Sequence, residues 1–199
     1  MNSIDIVSKS FGDTPVLGHI AFTVAPGETF AVVGPSGIGK STLLRVLAGL
    51  DTDFTGTVDL PLRRAMVFQE PTLLPWRSTL DNITLVTGIG KDEASAALAE
   101  IGLDRLADRF PMQLSLGQRR RLSLARALSA KPDLLLMDEP FVSLDPALVE
   151  EMLRLTERLL ASRPIATIFV THAMDEAARL ATRIVRLEGH PATIVEDAS

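Results

Sequence analysis

Short apolar segments rich in β-branched residues recur along the chain and are separated by segments with helical periodicity. The apolar segments are typical of β-strands and cover residues 4–7, 20–24, 29–33, 57–60, 65–68, 134–137, 166–170 and 184–187. Three of them are continuously apolar, at residues 30–33, 134–137 and 168–170. Continuous apolarity predicts strands that are covered on both faces of a mainly parallel sheet. The early strands, in contrast, are expected to pair antiparallel.

The clearest helical pattern covers residues 146–161, where apolar residues repeat at helical spacing. Asp145 is its natural N-cap, and Pro146 suits its first turn. Between about residues 72 and 130 the strand signal vanishes. Helical patterns dominate that stretch, at residues 79–86, 91–101 and 117–130. The stretch is therefore predicted to be a helical insertion.

Together these patterns predict an α/β fold with a mainly parallel sheet, a small antiparallel β subdomain and an inserted helical subdomain. The chain has 199 residues. At roughly 150 residues per domain, this length corresponds to one domain that carries a subdomain. We expect a core built from about residues 1–71 and 131–199, and a helical subdomain at about residues 72–130.

Composition narrows the classes of function. The chain is 46% hydrophobic and 23% charged, as in globular proteins, and it has no cysteine, which excludes disulfides, thiolate metal sites and cysteine nucleophiles. A net charge of -5 argues against nucleic acid as a partner. There is no apolar run of the length that spans a bilayer and no secretory leader pattern. We therefore expect a cytoplasmic protein.

Gly34-Pro35-Ser36-Gly37-Ile38-Gly39-Lys40-Ser41-Thr42 follows the strand predicted at residues 29–33 and precedes a helical pattern. This spacing is that of a phosphate-binding loop and predicts a P-loop NTPase core. The glycines let backbone N–H groups surround phosphate oxygens, and the helix N-terminus faces the same anion. Lys40 is expected to reach the β- and γ-phosphates of ATP, and the Ser41 hydroxyl to ligate Mg²⁺. The alternative is a glycine-rich turn without a ligand.

Two acids, Asp138 and Glu139, end the strand predicted at residues 134–137. In open α/β sheets, ligands lie beyond the carboxyl ends of the strands, where both acids would emerge. Asp138 is predicted to ligate Mg²⁺, and Glu139 to act as the general base for the attacking water. Taken alone, two acids at a strand end are also consistent with a solvated turn. The phosphate-binding loop favours the chemical interpretation.

The segment Leu114-Ser115-Leu116-Gly117-Gln118 resembles the signature of the nucleotide-binding subunits of ATP-binding cassette (ABC) transporters. It differs from the common form of that signature at Leu116, where glycine is usual. Four more motifs of the family fall in order along nearly the whole chain. They are Phe11, Gln69 after a strand, Ser143-Leu144-Asp145 after the paired acids, and His172 after the strand at 166–170.

The resemblance implies roles for these residues. Gln69 would contact Mg²⁺ or the attacking water, His172 would donate to the γ-phosphate, and Phe11 would stack on adenine. The remaining residues would contact ATP across a head-to-tail homodimer: Ser115, Gly117, Gln118 and Asp145. Taken alone, Gln69 and His172 are also consistent with ordinary structural residues, and Phe11 with a small core aromatic.

The resemblance also implies partners. Such a subunit hydrolyses ATP to power a membrane transporter, binds integral membrane permease subunits at the inner face of the membrane and, in an importer, works with an external substrate-binding protein. Residues 69–77 include Leu73, Leu74 and Trp76, which are expected either at the permease groove or packed on the insertion's own helices. This segment, followed by Leu80-Asp81-Asn82, resembles importers of the nitrate, sulfonate and taurine type.

The rival hypothesis is a soluble ATPase of the same superfamily in DNA repair or translation. Such proteins usually carry long coiled coils or two cassettes, and neither pattern is visible here. A non-catalytic nucleotide-binding regulator is disfavoured because Glu139, Gln69 and His172 are all present. The basic run Arg119-Arg120-Arg121 is expected to form a solvated face, with an acidic partner or a phosphate as the alternative.

Overall fold

The computed structural model describes residues 2–196. Its strands are β1 (Asn2–Phe11), β2 (Thr14–Leu17), β3 (Ile20–Val24), β4 (Thr29–Val33), β5 (Thr55–Asp59), β6 (Arg64–Val67), β7 (Leu134–Asp138), β8 (Ala166–Thr171), β9 (Arg183–Glu188) and β10 (Thr193–Glu196). Its α-helices are α1 (Lys40–Leu47), α2 (Thr79–Thr87), α3 (Lys91–Glu100), α4 (Leu116–Ser129), α5 (Pro146–Ala161) and α6 (Met174–Leu180). No helix in this range combines the length and the apolar character of a bilayer-crossing segment.

The strands form two sheets. The larger one has the order β10-β9-β4-β8-β7-β6, and its strands are parallel except for β10, which runs antiparallel to β9. In the smaller sheet β1 pairs antiparallel with β2, β3 and β5. This arrangement confirms the predicted α/β class with a mainly parallel sheet and an antiparallel β arm.

Burial on both faces explains the continuously apolar strands. Every residue of β4, β7 and β8 is buried. Phe30 and Val32 face one core, which also holds the apolar side chains of α1. Ala31 and Val33 face a second core, to which α4 and α5 contribute. The sheet is thus a layer between two apolar cores, and polar alternation within these strands would disrupt one of them.

Among the strands and α-helices given above, three short ones were not predicted, namely β2, β10 and α6. Strand β2 has four residues, of which only Leu17 is buried, and α6 has seven residues with Ala177 as its buried residue. A single buried side chain leaves no repeating apolar pattern in the sequence. The formation of such short elements therefore depends on packing and pairing with neighbouring elements. Among the predicted elements, α5 has the predicted bounds, and α4 begins one residue earlier than predicted, at Leu116.

Between β6 and β7 the described chain is helical, and a buried amide fixes the loop that enters this stretch. Asn82 of α2 is fully buried. Its Oδ1 accepts from the Leu74 N–H at 2.7 Å, and its Nδ2 donates to the carbonyl oxygens of Leu74 (3.1 Å), Arg77 (3.2 Å) and Ser78 (3.0 Å). One side chain therefore satisfies four backbone groups of a loop that has no regular secondary structure.

We predict that Asn82→Asp destabilises the protein, because a carboxylate would replace the amide donor that faces three carbonyl oxygens. The expected loss in the free energy of unfolding at pH 7 is about 2–4 kcal/mol. The carbonyl oxygens disfavour the charged form, so the pKa of the new carboxyl is raised in the folded state. The loss relative to wild type should therefore shrink as the pH falls and the carboxyl becomes a donor again.

Urea unfolding at pH 7 and at pH 4.5 measures this difference. Asp81→Asn is the matched control. It replaces a carboxylate by an amide, the reverse of Asn82→Asp, at the preceding residue of α2. Its expected cost is below about 1 kcal/mol, from lost charge in the first helical turn. A pH-independent loss for Asn82→Asp would contradict the prediction.

Candidate functional site

The order of the parallel strands brings the predicted site residues to one edge of the sheet. Strand β4 leads into residues 34–42, which we call the phosphate loop, and its neighbour β8 ends beside His172. Strand β7, next to β8, ends in Asp138 and is followed by Glu139. Gln69 is exposed just beyond β6, which pairs with β7. The carboxyl ends of four adjacent strands thus carry these groups.

Glycines shape the phosphate loop through their backbone conformation and, at Gly39, also through a close approach. Gly37 and Gly39 have φ values of 80° and 114°, in the region that disfavours other residues. A Cβ on Gly39 would lie 2.8 Å from Leu17 Cδ2. The loop therefore turns tightly against β2 of the antiparallel arm, while Pro35 and Ser36 stay exposed.

Lys40, the first residue of α1, points back across the loop. The side chain is buried, and Nζ donates to the carbonyl oxygens of Gly34 (2.9 Å) and Pro35 (3.0 Å). The same Nζ lies 3.1 Å from Glu139 Oε1. An ammonium among two carbonyls and a carboxylate is well compensated, and it can exchange the carboxylate for a phosphate oxygen.

Ser41 and Asp138 provide neighbouring oxygen atoms. The Ser41 hydroxyl donates to Asp138 Oδ1 at 2.9 Å. Burial raises the pKa of Asp138, and the charge of Glu139 acts in the same direction, while the Ser41 hydrogen bond and Lys40 oppose the shift. A hydroxyl beside a carboxylate is the hard oxygen donor set that suits Mg²⁺ together with phosphate oxygens. The residues present therefore fit that ion.

Glu139 has a strained backbone conformation, and its carboxylate lies between Lys40 and His172. Its φ is 41°, and its N–H donates to the Val170 carbonyl at 3.0 Å. Its Oε1 faces Lys40, and its Oε2 lies 3.2 Å from His172 Nδ1. The carboxylate thus bridges the lysine that begins α1 and the histidine that follows β8.

The turn that carries His172 is fixed by an acid that the sequence analysis did not single out. The Thr171 hydroxyl donates to the Glu176 carboxylate and accepts from the Ala173 N–H. Burial raises the pKa of Glu176, although the Thr171 hydrogen bond opposes that shift. The five-residue spacing across a strand-to-helix turn is too common a pattern to have indicated this contact.

Phe11 ends β1 and is 53% exposed, so it is not the core aromatic of the alternative interpretation. Lys9 Nζ lies 4.6 Å from the centroid of its ring. The buried Lys9 also donates to Asp51 Oδ1 (2.9 Å) and to the Asp53 carbonyl (2.6 Å), both in the segment after α1. Sequence reasoning missed Lys9. The only signal in the sequence was its position between Val7 and Phe11, where the alternation of β1 favours an apolar residue.

The signature residues cap their own helix in this structure. Ser115 is the N-cap of α4: its Oγ accepts from the Gln118 N–H at 3.2 Å, and its N–H donates to Gln118 Oε1 at 2.8 Å. A Cβ on Gly117 would lie 2.7 Å from Leu148 Cδ1, so this glycine allows α4 to approach α5. Asp145 caps α5 by accepting from the Leu148 N–H at 3.0 Å. Within residues 2–196, no hydrogen bond joins these residues to the phosphate loop of the same chain.

The expectation of a solvated basic face on α4 is wrong for Arg120. Arg120 is only 6% exposed and donates to two backbone carbonyls. Arg121 donates to the Ile101 carbonyl at 3.3 Å and pairs with Glu151 at 3.4 Å, which matches the acidic-partner alternative. The helix packs into the molecule at its first turns, so long side chains there cross to neighbouring elements instead of reaching solvent.

Of the two alternatives for the apolar loop at residues 69–77, packing inside the molecule holds for Leu73 and not for Trp76. Leu73 packs against the core that contains α4 and α5. Trp76 is 67% exposed, in contrast to the packed alternative. Leu73 therefore anchors the loop, whereas the indole of Trp76 lies largely in solvent.

A family model described as ABC transporter matches residues 17–142. The aliphatic sulfonates import ATP-binding protein of Granulibacter bethesdensis is 47% identical over 190 residues, which are 94% of this chain and 79% of that protein. A protein of the same name from Agrobacterium fabrum is 48% identical over 92% of this chain and 69% of its own length. One from Mycobacterium sp. is 49% identical over 90% and 76%.

The matched range contains the phosphate loop, the signature segment, Asp138 and Glu139, whereas Phe11, Asp145 and His172 lie outside it. The relatives extend the similarity across nine-tenths or more of the chain. Taken with the P-loop NTPase fold, these findings show that the chain belongs to the ABC transporter family, as one of its ATP-binding, ATP-hydrolysing subunits.

Proposed function

We propose that this chain powers a bacterial importer of aliphatic sulfonates through ATP hydrolysis at the edge of its parallel sheet. The observation that carries the proposal is the Glu139 carboxylate held between Lys40 and His172, beside the Ser41–Asp138 pair. The relatives are named as import proteins for aliphatic sulfonates. An ATPase of DNA repair or translation is not favoured, because nothing in those names points to either process.

The proposed reaction is an attack of water on the γ-phosphorus. The water oxygen bonds to phosphorus while Glu139 takes a proton from that water. At the same time the bond from phosphorus to the leaving oxygen of ADP breaks. Lys40 binds the β- and γ-phosphate oxygens, and the N–H groups of the phosphate loop bind the remaining charge. His172 fixes the orientation of the Glu139 carboxylate and donates to the γ-phosphate.

Further residues complete the proposed site. Ser41, Asp138 and Gln69 would hold Mg²⁺, which neutralises charge that develops on the phosphate oxygens. Phe11 would stack on adenine, with its outer face available. The phosphate loop and the first turn of α1 would contact the phosphates through the following further residues: Gly34, Pro35, Ser36, Gly37, Ile38, Gly39 and Thr42.

We also propose a head-to-tail homodimer. Each ATP would lie between the phosphate loop of one protomer and the signature segment of the other, with Ser115, Gly117, Gln118 and Asp145 contributing across the interface. The N-terminus of α4 supports this role, because its dipole and free N–H groups favour an anion. ATP closes the dimer, and loss of the γ-phosphate contacts opens it.

The partners follow from the importer assignment. The chain would bind permease subunits at the cytoplasmic face of the membrane, and an external substrate-binding protein would deliver the sulfonate. We propose that residues 1–71 and 131–199 act as the ATP-binding core and that residues 72–130 act as the helical subdomain that contacts the permease. The exposed Trp76 supports a contact surface on the loop at residues 69–77.

Replacing Lys40 with alanine should abolish productive ATP binding, because the cation that faces the β- and γ-phosphates is lost. Two charge-assisted hydrogen bonds correspond to a loss of at least about 100-fold in affinity. Isothermal titration with ATP measures the loss, and thermal melting checks that the variant folds. Lys91→Ala, at an exposed helix start, is the control. Wild-type ATPase activity in a folded Lys40→Ala variant would contradict the site assignment.

Glu139→Gln should preserve the shape of the site while removing the base. The expected loss in kcat is about 10² to 10⁴, with ATP binding retained because the anion that competes for Lys40 is also removed. The variant should elute as an ATP-bound dimer in size-exclusion chromatography. Glu93→Gln, on the exposed side of α3, should behave as wild type. A Glu139→Gln variant that hydrolyses ATP as fast as wild type, or one that cannot bind ATP, would contradict the role of Glu139 as the base.

Trp76 is the only tryptophan, so its fluorescence reports on this loop alone. Permease binding should bury the indole and shield it from acrylamide, whereas ATP should change its emission with less shielding. Trp76→Ala should weaken assembly with the permease by about 30-fold or more, as for a hot-spot residue, and leave ATP affinity unchanged. The control is Leu62→Ala, which removes another exposed apolar side chain. Unchanged quenching together with normal assembly of Trp76→Ala would place the docking surface elsewhere.

A further inference from the structure

A buried guanidinium on α4 contacts the backbone that follows the proposed base. Arg120 is 6% exposed and donates through its terminal nitrogens to the carbonyl oxygens of Pro140 (2.8 Å) and Val142 (2.6 Å). None of the ion pairs found within residues 2–196 involves Arg120. A buried charge without a counter-ion is costly unless hydrogen bonds compensate it, so these two carbonyls are its main compensation.

The carbonyls that Arg120 holds lie between two residues with strained backbones. Glu139 has a φ of 41° and Ser143 a φ of 62°, and neither is glycine. Such conformations persist only where the surrounding structure fixes them. The Glu139 N–H bonds to Val170, and the Val142 N–H donates to the Glu139 carbonyl at 3.3 Å. Arg120 adds two stronger restraints to the same short turn.

The planar guanidinium suits this task because it can direct two N–H groups at two carbonyls in a fixed geometry. Its helix also carries the signature segment, since Ser115 is the N-cap five residues earlier. Arg120 therefore connects the helix of the signature segment to the turn that bears the proposed base, within one chain.

We propose that Arg120 is a positioning residue for ATP hydrolysis. By holding the carbonyls of Pro140 and Val142, it keeps the Glu139 carboxylate aimed between Lys40 and His172. This inference rests on the proposed role of Glu139 as the base. Arg120 itself does not contact the nucleotide, so its loss affects the rate of the chemical step more than the binding of ATP.

The test compares Arg120→Met with Arg121→Met in the full chain. Arg121 is the next residue of the same helix, and its removal also deletes contacts to a backbone carbonyl and to Glu151, but none to the turn after Glu139. Arg120→Met should lower kcat by about 10- to 100-fold, the effect of a small misplacement of a catalytic group. KM for ATP should stay within about twofold of wild type.

Two further readouts separate positioning from general stability. Hydrogen exchange by mass spectrometry should show faster exchange in residues 139–145 for Arg120→Met and not for Arg121→Met. Thermal melting of both variants shows whether they lose stability to a similar degree. Arg120→Lys, which retains a buried cation with fewer aligned donors, should recover part of kcat.

A kcat of folded Arg120→Met within twofold of wild type, while Glu139→Gln is inactive, overturns the inference alone. Equal losses of kcat in the two methionine variants, or a matching loss of ATP affinity, also overturn it. A fast Glu139→Gln variant overturns both this inference and the proposed role of Glu139. If Arg120→Met does not fold, Arg120→Lys is compared with Arg121→Lys. A kcat that falls only in Arg120→Lys then supports the inference, and equal values overturn it.

Discussion

Parallel pairing of β4, β8, β7 and β6 is the constraint on which the site depends, because it turns distant parts of the chain into neighbours. Lys40 and Glu139 are 99 positions apart in sequence, yet their charged atoms lie 3.1 Å apart. Pairing in the same direction gathers the carboxyl ends at one edge. The two apolar cores that cover the sheet fix this register, since a one-residue slip would move core side chains to the wrong face.

Each of the charged groups Lys40 and Asp138 at that edge has polar partners within the chain. Lys40 has two carbonyls and the Glu139 carboxylate, and Asp138 has the Ser41 hydroxyl. In the proposed mechanism, a nucleotide phosphate would compete with Glu139 for the same ammonium and would free the carboxylate to accept a proton from water. Because Lys40 and Asp138 are buried, the interactions of their charges are electrostatically stronger than they would be on an exposed surface.

Helix α4 links the site to the rest of the helical stretch through three arginines. Arg120 reaches the turn after Glu139, Arg121 reaches Ile101 and Glu151, and Arg126 donates to the Thr72 carbonyl at 2.7 Å in the loop before Trp76. A movement of α4 would therefore displace both the turn after the proposed base and the exposed loop. These contacts offer a physical route between ATP hydrolysis and the proposed permease contact at Trp76.

Local rules allowed much of the molecule to be predicted from its sequence. Continuous apolarity identified β4, β7 and β8, the Asp145–Pro146 start identified α5, and glycine spacing identified the phosphate loop. These features depend on residues that are close in sequence. The sequence could not reveal β2, β10 or α6, because each has too few buried positions to leave a period, nor the exposed state of Phe11 and Trp76.

The contacts that join separate segments were decided only by the tertiary structure. The sequence suggested the paired acids Asp138 and Glu139, and His172, as candidates, whereas the fold determined that Glu139 faces both Lys40 and His172. It also placed Arg120, expected in solvent, beneath the turn after Glu139. Composition and spacing constrain neighbours along the chain, but a side chain's burial and partners depend on which surface its helix or strand packs against.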